Sequence, residues 1–198
     1  MRRYIVSQFG NPRGIIGRVV GKVMVRKNRG RSKWVVSQLD IQRQDRVLEI
    51  GFGPGLAVQE VASIATDGFV AGIDHSAVMV SQANKRNAQA IAAGRVELKC
   101  GSVAALPYAD GAFDKVFSIN SIMFWPEPVE NLKEIRRVLK VGGLCVVAQQ
   151  PRWAKTEADV QEEAEEMQAQ MTAAGFDSVR LIEKAMKPVK CLCVFGTK

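Results

Sequence analysis

The stretch Val47-Leu48-Glu49-Ile50-Gly51-Phe52-Gly53-Pro54-Gly55 places three glycines where an apolar, strand-like run gives way to a helical pattern. Glycine at such a point lets backbone approach a ligand that side chains would obstruct, so a nucleotide-like cofactor is expected over the turn. Tight strand-to-helix turns also use glycine for structural reasons alone, and the neighbouring residues must decide. The third glycine comes two residues after the second rather than three, which misses the fingerprint for cradling a pyrophosphate. Pro54 removes an amide hydrogen where a phosphate would want a donor. Glu49 puts an acid at the strand end, unfavourable beside phosphates but suited to a ligand carrying ammonium and sulfonium charges. The turn thus favours a cationic ligand and disfavours a nicotinamide-dependent oxidoreductase.

Asp74 closes the apolar run Phe69-Val70-Ala71-Gly72-Ile73, nineteen residues past Gly55. An acid at the end of the second strand can accept both hydroxyls of a ribose. The competing role, a helix N-cap, fits Ser76 better, so Asp74 is expected to bind ribose.

Outward from this centre, β-rich apolar runs alternate with helical patterns, as in βαβ units. Strands are predicted at 46–50, 69–73, 95–99, 114–119 and 143–149, with helices over 56–64, 76–93 and 129–139, and the pair Gly142-Gly143 reads as a turn into a strand. A further helix near 156–174 ends at Gly175, and the runs 178–184 and 190–195 read as a hairpin around Pro188. The expected fold is α/β: a Rossmann-like doubly wound sheet, mostly parallel, with a C-terminal antiparallel hairpin. At 198 residues and 47% apolar, the chain suits a single sheet domain over 35–198 preceded by a basic segment over 1–34.

The motif Glu49-Ile50-Gly51-Phe52-Gly53-Pro54-Gly55 resembles the first motif of class I S-adenosylmethionine-dependent methyltransferases. Leu106-Pro107-Tyr108-Ala109-Asp110-Gly111-Ala112-Phe113-Asp114 resembles a segment of the ubiquinone/menaquinone-biosynthesis-like (methyltransferase type 11) branch, and Leu132 to Gly143 resembles that branch's helix and glycine turn. The resemblance covers residues 40 to 150. It implies S-adenosylmethionine as cofactor, Gly51, Gly53 and Gly55 flanking its methionine and ribose portions, His75 and Met79 lining the adenine, and Asn120 facing the methionine end. The branch commonly has Gly-Asp-Ala where this chain has Gly101-Ser102-Val103, which leaves adenine to the Ser102 hydroxyl and the Val103 amide.

Methyl transfer from a sulfonium is an in-line displacement that depends mostly on positioning, and no residue stands out as a catalytic base. Tyr4, Tyr108 and Trp125 are the candidate substrate contacts. The run Asn120-Ser121-Ile122-Met123-Phe124-Trp125 lacks the Asn/Asp-Pro-Pro-aromatic pattern of nucleic-acid amino methyltransferases, which argues against nucleic acid and for a small apolar or aromatic acceptor. A non-catalytic cofactor-binding regulator or partner protein, and a methyltransferase acting on lipid or quinone at a membrane surface, are the alternatives. Residues 1 to 46 hold twelve Lys/Arg against Asp40 and Asp45, a net +10 within a chain of +8. Such a concentration marks a basic face for an anionic partner, an anionic membrane included, or a solvated helix face. In the same region Ile15, Ile16, Val19, Val20, Val23 and Met24 form an apolar helical stripe, expected either to dock permanently or to close as a lid. Cys100, Cys145, Cys191 and Cys193 lie in or beside apolar runs with no metal-ligand spacing, so no metal is expected, and buried reduced thiols suit the cytoplasm.

Overall fold

The computed structural model describes residues 29–198, and these divide into two compact units, one running through Ser102 and one over Val103–Lys198. The N-terminal stripe up to Met24, and Tyr4 with it, lies outside the described residues.

The first unit opens in helical backbone over 29–37 (α1), whose Val35 and Val36, with Leu39 beyond, are buried. Three parallel strands follow, β1 (Arg46–Ile50), β2 (Phe69–Asp74) and β3 (Val96–Cys100), hydrogen-bonded in the order β3-β2-β1. The helix α2 (Leu56–Ile64) packs on β1 and β2, while α3 (Ala77–Arg86) packs on β2 and β3. Strands β1 and β2 are buried almost throughout, as strands covered on both faces must be. The helix expected over 76–93 is instead two, α3 and α4 (Ala88–Ala92). Asn87 breaks it: the Nδ2 group donates to the Gly55 carbonyl at 3.1 Å and to the Ala83 carbonyl at 2.9 Å. An asparagine so engaged offers the backbone an alternative to helix continuation.

The second unit contains β4 (Phe113–Ile119), α5 (Pro128–Val138), β5 (Leu139–Gln149), α6 (Glu157–Ala173), β6 (Asp177–Lys184) and β7 (Cys191–Thr197). β4 and β5 are parallel; β5–β7 and β7–β6 are antiparallel, so the last strand inserts between its two predecessors. β7 is buried at six of its seven positions, whereas β6, with Arg180, Glu183 and Lys184, is a charged edge. β5 begins four residues earlier than predicted, because Gly142 and Gly143 lie inside the strand at a register shift against β4 rather than in a turn before it. A Cβ on Gly143 would stand 2.8 Å from the Lys140 carbonyl oxygen, which explains the glycine.

α6 starts with a capping box, Thr156 and Asp159 exchanging side-chain and backbone bonds. It ends in a Schellman arrangement: Gly175, at φ 85°, donates to the Thr172 carbonyl and Phe176 donates to the Met171 carbonyl. The seven strands and flanking helices are of the Rossmann-like class, mostly parallel with antiparallel C-terminal strands. Cys145, Cys191 and Cys193 are buried as expected, but Cys100 is exposed at the end of β3.

Candidate active site

In the first unit the turn after β1 carries left-handed backbone at Gly51 (φ 72°), Gly53 (52°) and Gly55 (75°). An L side chain at such an angle costs roughly 1–2 kcal/mol. Gly55 has a second reason to lack a side chain: a Cβ there would stand 2.6 Å from Ala83 Cβ, so close packing of α3 requires it. The Gly51 N–H donates to the Ile73 carbonyl at 2.7 Å, the Gly53 N–H to Asp74 Oδ2 at 2.8 Å, and the Gly55 N–H to the Phe52 carbonyl at 3.0 Å. All three glycine amides are therefore engaged with protein acceptors. A phosphate, which needs such donors, finds none of them available.

Asp74 lies across this turn. Its second oxygen, Oδ1, accepts the Ser76 N–H at 2.8 Å. Ser76 is the N-cap of α3, its hydroxyl accepting the Met79 N–H. The carboxylate is thus not the cap and is held in place by two backbone donors. Burial pushes its pKa up, and the bonds from Ser76 and Gly53 oppose that shift.

Glu49, at the penultimate position of β1, is 3% exposed and its Oε2 has no hydrogen-bond partner. Burial first, then repulsion from Asp74, push its carboxyl well above the ordinary glutamate range, against a bond from the Val58 amide. Leaving a buried carboxylate oxygen unmatched is costly unless something cationic or donating meets it. The donor set therefore fits S-adenosylmethionine: a buried acid whose Oε2 has no hydrogen-bond partner, a second acid, Asp74, fixed across the turn, and no free glycine amide for phosphate. Of the other candidates in this unit, His75 and Ser102 are exposed, and Met79 is 2% exposed within the core.

In the second unit Val103 is buried. Asn120 follows β4 in left-handed backbone, φ 53°, with its N–H on the Ala148 carbonyl and its Oδ1 accepting the Gln150 N–H at 2.8 Å. It ties the carboxyl ends of β4 and β5 together. Tyr108 packs edge-on against Phe113, ring centroids 4.9 Å apart.

A cavity of ≈ 240 Å³ opens in this unit beyond the ends of β4 and β5, walled by Trp125, Trp153, Met123 and Met167 and bordered by Gln149 and Glu163. Trp125 is the predicted contact that lines it; Tyr108 is not in its wall. Gln149 Nε2 donates to Glu163 Oε1 at 2.8 Å. Sequence reasoning missed Gln149, Trp153 and Glu163. Gln149 had a usable signal, a polar residue ending a buried strand, where ligands of open α/β sheets collect. Glu163 had none, being one acid among several on α6.

Residues 48–147 match the family model described as a methyltransferase domain. The chain belongs to the S-adenosylmethionine-dependent methyltransferase family. The methyltransferase is 33% identical over 185 residues to an uncharacterized methyltransferase, YdaC, of Bacillus subtilis strain 168, covering 91% of this chain and 98% of that one. It is 29% identical over 123 residues to the ubiquinone/menaquinone biosynthesis C-methyltransferase UbiE of Geotalea uraniireducens strain Rf4, covering 58% of this chain and 49% of the relative. Its fold matches the crystal structure of a SAM-dependent methyltransferase from Aquifex aeolicus with a TM-score of 0.68, over 83% of this chain and 88% of that one, at 19% identity. Among the described residues no helix of the methyltransferase is long and apolar enough to cross a membrane.

Proposed function

We propose that the methyltransferase moves the methyl group of S-adenosylmethionine to a small apolar or aromatic acceptor by in-line displacement. Glu49 carries the cofactor half of this reading, because its buried, unpartnered oxygen at a turn unsuited to phosphate calls for a cation. Here Glu49 offsets the positive end of the cofactor. Asp74 accepts the ribose hydroxyls through lone pairs beyond those given to Gly53 and Ser76. Gly51 and Gly53 border the ribose and methionine, His75, Met79, Ser102 and Val103 the adenine, and Asn120 the methionine end. S-adenosylmethionine supplies a methyl on a positively charged sulfur, which leaves the chain the tasks of holding and orienting.

The acceptor half rests on the cavity, whose tryptophan and methionine walls suit a flat apolar body. The relative named for ubiquinone and menaquinone biosynthesis agrees with an aromatic acceptor. The +10 charge of residues 1 to 46 supports attraction to an anionic surface, a lipid bilayer included. Incubation of the full chain with methyl-labelled S-adenosylmethionine and a panel of phenols, quinones and amines tests the reading. Label should pass to at least one acceptor and cease to do so in Asp74→Ala; cofactor binding with no transfer to any member would overturn it.

A further inference from the structure

The cavity bordered by Gln149 is not only apolar. Gln149 is 1% exposed, and its Oε1 has no hydrogen-bond partner. Its orientation is fixed by chemistry, since Nε2 donates to the Glu163 carboxylate, and the reversed amide would set oxygen against oxygen. The unmatched atom is therefore an acceptor, and it requires a donor.

Charge narrows the ligand further. Glu163 is half-buried and also accepts the Trp153 indole N–H, and Glu166 stands less than one helical turn away on the same wall. Among the described residues lining the cavity none is basic. Trp125 and Trp153 add aromatic surface, which attracts cations and stacks on flat rings. Trp153 remains 53% and Met123 48% exposed, so large apolar side chains stand in solvent at this site. Trp125 is anchored by its indole N–H on Ser121 Oγ at 3.0 Å, which gives the cavity one rigid wall.

We propose that this cavity recognises a flat aromatic amine, with Gln149 Oε1 accepting an N–H from the ammonium group and the Glu163 carboxylate countering its charge. The proposal rests on the reading of the cavity as the acceptor side and names the class of molecule bound there, the ammonium group being the handle by which it is recognised and not the atom that takes the methyl group. Burial raises the Glu163 carboxyl, and a cation beside it would reverse that shift. Gln149 and Glu163 are thereby specificity-determining residues for the amine end, while the tryptophans and methionines bind the ring.

Tryptamine, with indole-3-acetate as the same ring bearing the opposite charge, tests this by calorimetry on the full chain loaded with S-adenosylhomocysteine. Tryptamine should bind saturably and indole-3-acetate at least about tenfold more weakly, the scale of one charge-assisted hydrogen bond. Gln149→Leu, nearly the same shape, and Glu163→Gln, on the half-exposed helix face, should each weaken tryptamine by about tenfold while S-adenosylhomocysteine affinity holds. Should Gln149→Leu not fold, Glu163→Gln alone decides. Equal binding of the two indoles, no binding of tryptamine, or insensitivity to both substitutions overturns the proposal. Tryptamine binding that depends on Gln149, in a protein that transfers no methyl group, would sustain it while removing the proposed function.

Discussion

Glu49 has opposite consequences for folding and for binding. Its folded-state pKa lies above the ordinary value of 4.5, so as pH rises past 4.5 the unfolded chain ionises while the folded one retains its proton. The fold loses stability over that window. Glu49→Gln should therefore raise the melting temperature of the cofactor-free protein near neutral pH and leave it unchanged below pH 4.5. The same variant should bind S-adenosylmethionine roughly tenfold to a hundredfold more weakly, the range expected for one charge-assisted hydrogen bond. Melting curves at both pH values check the first effect and calorimetry the second; an equal shift at both pH values would contradict the ionisation argument. Asp74→Ala should cost a similar factor in affinity and also lower the melting temperature, because the Gly53 and Ser76 amides lose their acceptor. A variant of unchanged affinity would remove Asp74 from the ribose. The placement of both acids was legible in the sequence, Glu49 one residue before the end of β1 and Asp74 at the end of β2, because chain order alone places such strand ends on one side of a parallel sheet. Gln149 and Glu163 were not, since their pairing depends on which face of α6 meets the end of β5.

At the scale of elements, the two later motifs prove to be one clamp. Arg137 on α5 donates to Glu134 at 2.7 Å and to Asp110 at 2.6 Å, and its remaining hydrogens reach the Tyr108 and Leu106 carbonyls. Glu134 in turn accepts the Leu106 N–H at 2.8 Å. The motif spacing thus reports how α5 holds the segment before β4, and not a catalytic group. Bonding to Arg137 holds the Glu134 carboxyl below its ordinary value, so it contributes stability above about pH 4.5 that disappears as pH falls through the lower folded value. Arg137→Met should destabilise the protein by about 2 kcal/mol, a figure discounted for partial exposure, and should flatten the acid limb of the stability curve. Hydrogen exchange should quicken at the Leu106 and Gly111 amides, which bond to Glu134 Oε1 and to the Arg137 carbonyl. Unchanged protection there would show that the segment is held by packing, the Tyr108–Phe113 ring contact first. The division of the expected 76–93 helix was hidden for a related reason: Asn87 reads as an ordinary helix residue until the Gly55 carbonyl it bonds is known.

For the whole molecule, the alternation of strand and helix patterns made the α/β class legible, but the insertion of β7 between β5 and β6 was not, because chain order does not state strand order. The run Cys191-Leu192-Cys193-Val194-Phe195, apolar on both faces, held the clue: an edge strand would carry charge, as β6 does. Charge is the other property of the chain as a whole. Residues 1 to 46 carry +10 while the rest carries −2, so the positive charge is concentrated in one stretch of the sequence. Each Lys or Arg near an anionic bilayer contributes about 1 kcal/mol, so a few acting together give roughly a hundredfold to a thousandfold in partitioning. The methyltransferase should therefore bind phosphatidylserine-containing vesicles at low ionic strength and release them as salt shortens the screening length, about 10 Å at 0.1 M. Replacing Arg2, Arg3 and Arg13 together by Gln should weaken vesicle binding by roughly a hundredfold or more while leaving S-adenosylmethionine affinity unchanged, since Glu49 and Asp74 lie outside that stretch. Co-sedimentation across a salt series reads the first effect and calorimetry the second. Binding to neutral phosphatidylcholine vesicles of equal strength, or binding indifferent to salt, would show that the charge asymmetry is a solvated face and not a membrane contact.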